Sequence, residues 1–79
     1  MNTRNASPSR VETIIAATFF LMNAYQRTRC PRLARCIAAH LDCLTRHPDA
    51  DPTIRAVCDG MSDDWRAAAE TAQPCQSLH

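Results

Sequence analysis

Two proline-bearing breaks in a chain with a single glycine constrain the fold more than any other feature. The first is Cys30-Pro31 and the second is His47-Pro48-Asp49-Ala50-Asp51-Pro52. Proline disrupts a helix interior and pushes the residue before it towards extended backbone, yet it suits the first helical position, where its missing N–H is no loss. Asp51, just before Pro52, adds a side chain that can accept a hydrogen bond from an unpaired backbone N–H at a helix start. The one glycine, Gly60, argues against an all-β domain, whose tight turns call for residues that tolerate positive φ. The breaks therefore predict an all-α, small three-helix domain, with helices over roughly residues 9–27, 31–46 and 52–72.

The first helix has its start marked by Ser9 and Glu12, a capping-box pair, and Ser7-Pro8 offers an earlier alternative. Projected at about 100° per residue, Val11, Ile15, Thr18, Phe19, Met22 and Tyr25 form one apolar face. Ala17, Phe20, Leu21 and Ala24 form a second, nearly opposite. A helix apolar on two sides is buried on two sides. A chain of 79 residues buries only ~60% of the surface its unfolded form exposes, so the second patch predicts a subunit interface and a helical homodimer.

In the second helix Leu33, Ile37, Leu41 and Leu44 make the apolar stripe, with Ala34 on one flank. The third carries Ile54, Val57, Cys58, Met61, Trp65, Ala68 and Ala72 on one side and Asp59, Asp63, Arg66 and Glu70 on the other, with Gly60 on the polar side. Trp65 is expected in the core, and Asp63 and Asp64 as solvated charge. Pro74 ends this helix. Residues 1–79 read as a single domain with 1–7 and 74–79 as disordered tails.

The second helix also holds Cys36, His40, Cys43 and His47 at i, i+4, i+7 and i+11, which places them on one stripe. Cysteine and histidine are zinc ligands, and i, i+4 pairs can chelate one ion from a helix face. The four extend over more than about 16 Å of helix at 1.5 Å per residue, so no single ion reaches them all. The stripe is read as the edge of the core face, a weak candidate for metal binding or thiol sensing, and no cofactor is expected. Five cysteines is an odd number, three of them fall at helical spacing, and no disulfide framework is visible. A reducing, cytoplasmic compartment follows.

All nine basic residues are arginine. Up to Arg46 seven arginines face only Glu12 and Asp42, whereas the remainder sets Arg55 and Arg66 against five aspartates and Glu70. Arg27, Arg29, Arg32 and Arg35 cluster where the first helix gives way to the second. They are candidates for an acidic protein partner, or, in the rival reading, for nucleic acid contacted from the start of the second helix. A net charge of only +1 gives the rival little support.

Arg4 and Arg10 precede the apolar run Ile14 to Met22, but Met22 is too large for a leader-cleavage position two residues before Ala24. The run is also shorter than the ~20 residues a membrane span requires. No glycine-rich loop or orienting partner accompanies any candidate nucleophile. The sequence thus points away from enzymes, towards a small, bacterial-type cytoplasmic regulatory or adaptor protein that binds itself and another protein, without a membrane.

Overall fold

The computed structural model describes residues 10–71, which form three α-helices: α1 (Val11–Thr28), α2 (Pro31–Thr45) and α3 (Pro52–Thr71). No strand occurs among the described residues. Pro31 opens α2 behind an extended Cys30. Asp51 caps α3, its Oδ2 accepting from the Thr53 N–H at 2.9 Å. Both breaks therefore act as their chemistry predicts. The residue preceding α1 is Arg10, whose side chain makes no cap hydrogen bond, and Ser7, Pro8 and Ser9 lie outside the described residues. So do Ala72, Pro74 and both expected tails.

The chain leaves α1 through Arg29 in the left-handed conformation (φ 55°, ψ 27°), with its N–H donating to the Tyr25 carbonyl at 2.7 Å. This closes the last turn, and the Arg29 guanidinium folds back over the Tyr25 ring, 5.7 Å from its centroid. Between α2 and α3, the His47 and Ala50 N–H groups donate to the Leu44 and His47 carbonyls. Ala50 is buried there.

Helix α2 is the centre of the molecule. Both α1 and α3 pack on it, α3 more extensively, and the backbones of α1 and α3 do not pack on one another. Ile37, Leu41 and Leu44 are buried along α2, and Cys58 joins them from α3. Ala34 and Ala38 are fully or nearly fully buried too. The covered arc of α2 thus turns towards its alanines, where small side chains let a neighbouring helix approach closely. Buried Ser62 and Ala69 on α3 are equally small.

The α2–α3 pair is tied at the surface by Arg66, whose Nη1 lies 3.0 Å from Asp42 Oδ2 while Nη2 contacts Asp63 Oδ1 at 3.2 Å. The same Nη2 donates to Ser62 Oγ, and that hydroxyl donates to the Asp59 carbonyl. Arg66 therefore satisfies a buried hydroxyl as well as two carboxylates. On α1, buried Thr18 meets its own need by donating Oγ1–H to the Ile14 carbonyl at 2.7 Å.

Candidate functional site

With α1 and α3 each resting on α2 but held apart, an apolar groove of about 300 Å³ lies between them. Its α1 wall is Ile15, Thr18, Phe19 and Met22, and its α3 wall is Thr53, Ile54, Val57, Cys58 and Met61. Leu41 and Leu44 of α2 complete the lining. Ile15, Thr18, Phe19 and Met22 on α1, and Ile54, Val57, Cys58 and Met61 on α3, each follow i, i+3, i+4, i+7, the spacing that presents one face of a helix. Phe19 at 65% exposure and Val57 at 54% stand out from the two walls. The Tyr25 and Trp65 rings join α1 to α3 towards the C-terminal ends of both helices.

Cys58 is buried in the groove lining, and burial raises its thiol pKa above the ordinary value of 9.0 by disfavouring the thiolate. A protonated thiol in an apolar wall packs as a small hydrophobe and is a poor nucleophile.

The structure divides the residues expected at a dimer patch. Phe20 is 72% exposed, Ala17 and Ala24 are half-buried, and Leu21 packs against the core. Phe19, expected on the inner face, is instead mostly exposed. The reason is rotational: the buried centre of α1 is Thr18, which turns Leu21 inward and carries Phe19 out to the rim.

Helix α2 also departs from expectation. Cys36 and Cys43 are exposed, not lodged at the core edge, while His40 and His47 are half-buried. The core arc swings towards Ala34 and Ala38, which leaves the cysteines on the opposite flank. His40 Nδ1–H donates to the Cys36 carbonyl at 2.8 Å, and His47 Nδ1 accepts from the Asp49 N–H at 3.1 Å. No group of three or more His, Cys, Asp or Glu side chains able to hold a metal ion occurs among the described residues.

Arg27, Arg29, Arg32 and Arg35 are all exposed around the α1–α2 connection, with Arg29 committed to the Tyr25 ring. No helix among the described residues is long and apolar enough to cross a membrane. The groove itself had no signature in the sequence beyond the apolar faces of its two walls. Its existence depends on how far apart α1 and α3 sit.

The chain matches no family model, no curated protein and no solved structure at a significant level. The functional reading accordingly rests on its own geometry.

Proposed function

We propose that the protein acts by binding other proteins, as a small regulatory or adaptor protein without catalysis, and that the groove between α1 and α3 receives an apolar helix of its partner. The observation that carries this reading is the groove itself. An exposed trough lined by Met22, Leu44, Ile54 and Met61, with Phe19 and Val57 standing open, leaves apolar surface in water that a docked helix removes. Two methionines in the lining add side chains that adapt to the shape of an incoming surface. The exposed arginines of the α1–α2 connection lie beyond the Tyr25–Trp65 contact from the groove, and offer a separate charged surface to an acidic partner. The exposed thiols of Cys36 and Cys43 fit work in the reducing cytoplasm of a bacterium. Self-association as a homodimer belongs to the same proposal, because Phe20 lies on the outer side of α1 and is not part of the groove lining.

The test is co-purification from the native host with the tagged chain and its Val57→Asp variant, folding being checked by circular dichroism. A protein retained by the unmodified chain and lost from the variant supports the proposal. Retention of the same proteins by both removes the groove as the docking site.

A second reading rests on the exposure of Arg27, Arg32 and Arg35 at one end of the molecule, and is contact with nucleic acid. Salt-dependent retention on DNA, lost when these arginines are replaced, distinguishes it from protein docking.

A further inference from the structure

The outward face of α1 has a symmetry of its own, and of its residues only Phe19, at the rim, also borders the groove. Glu12, Ala16, Phe19, Phe20, Asn23 and Arg27 are all exposed. The steps between them, four, three, one, three and four residues, read the same in both directions. Glu12 and Arg27 are equidistant from the midpoint of the two phenylalanines, and so are Ala16 and Asn23. Steps of three and four residues keep side chains on one face of a helix, as in the seam of a coiled coil.

We infer that α1 pairs with α1 of a second copy, antiparallel about a two-fold axis passing between Phe19 and Phe20. This rests on the homodimer part of the preceding section and specifies its surface and register. In an isologous contact every residue pair occurs twice. The two-fold puts Glu12 level with Arg27 of the second copy at both ends of the seam, Ala16 level with Asn23, and the phenylalanines together at the centre.

Charge selects the orientation. Neither Glu12 nor Arg27 has an ion-pair partner among the described residues. A parallel pairing would set Glu12 against Glu12 and Arg27 against Arg27, whereas the antiparallel one makes opposite-charge pairs at both ends. It also opposes the two helix dipoles. At the centre, Phe19 and Phe20 are 65% and 72% exposed in the single chain, and the pairing covers both. One helix–helix seam is smaller than a standard stable interface, so the dimer exchanges with monomer on dilution.

Sedimentation of the full chain and its charge variants tests this. Glu12→Arg alone creates two Arg–Arg encounters and Arg27→Glu two Glu–Glu encounters, and each weakens self-association about tenfold or more. An equimolar mixture of the two variants associates again, because each supplies the charge the other lacks, and the double variant E12R/R27E dimerises like the unmodified chain. Dimers insensitive to both single reversals would overturn the register and leave the homodimer reading standing. A chain that stays monomeric up to about 1 mM, where even a weak specific contact populates a dimer, would overturn both.

Discussion

Tyr25 and Trp65 meet edge to face, their ring centroids 5.0 Å apart and their planes at 83°, joining the last full turn of α1 to the second half of α3. The groove opens on the same two helices towards their N-termini, where Ile15 and Phe19 stand across from Ile54 and Val57. One aromatic contact thus links two helices whose backbones otherwise meet only through α2.

A double-mutant cycle on Tyr25→Leu and Trp65→Leu should give a coupling of about 0.5–1.5 kcal/mol, the range for aromatic pairs beyond their area burial. Each single variant should also lower the melting temperature. The cycle is read from denaturant unfolding followed by far-ultraviolet circular dichroism, which does not depend on Trp65 as a probe. A coupling indistinguishable from zero would mean that the rings do not hold α1 to α3.

Replacing Asp51 removes the acceptor that the Thr53 N–H uses at 2.9 Å. Asp51→Ala should cost about 1 kcal/mol of unfolding free energy, and Asp51→Asn much less, since an amide oxygen can accept the same bond. Chemical denaturation of the three proteins checks both the size of the loss and its order.

Gly60 lies inside α3 with negative φ, and a Cβ built on it meets nothing within 4 Å. Gly60→Ala should therefore stabilise the protein by roughly 0.5–1 kcal/mol, through helix propensity and a less flexible unfolded chain. Thermal unfolding would show this as an upward shift. A loss of stability would instead reveal that the space beside Gly60 is occupied in the assembled protein, which makes this variant a probe of docking as well as of the fold.

Cys58 links stability to alkaline pH. Its folded pKa is raised by burial, so the unfolded chain releases this proton at lower pH than the folded one. The stabilisation it lends is fully present below the unfolded value near 9.0 and is lost as pH rises through the higher folded value. Cys58→Ala should flatten the alkaline limb of the stability profile. In thiol labelling at neutral pH, the exposed Cys36 and Cys43 should react first and Cys58 only as the chain opens.

The helices were legible because their ends are written in local chemistry. Pro31 and Pro52 suit first helical positions and almost no others, and Asp51 caps the helix it precedes. The seam of Ile37, Leu41 and Leu44 was equally legible, since three large aliphatic side chains at helical spacing have one favourable place to go. Ser62 could not be found in this way. A serine carries no sign of burial, and its hydroxyl is satisfied by the Asp59 carbonyl and by Arg66, itself paired across to Asp42 on another helix. Cys36 and Cys43 misled for the converse reason, because a residue type that is often buried says nothing about which flank of α2 its neighbours cover.

The sequence by itself determined three helices, the two breaks that separate them, and the apolar stripe on the middle one, all of which depend on interactions within a few residues of the chain. Only the tertiary structure decided that Leu21 turns inward while Phe19 stays at the rim, and that an apolar groove lies open between α1 and α3. Those outcomes follow from how each helix is rotated and spaced against α2. Rotation and spacing are settled by side chains that meet across elements, such as Tyr25 with Trp65 and Arg66 with Asp42, and the period of one helix carries no information about the helix beside it.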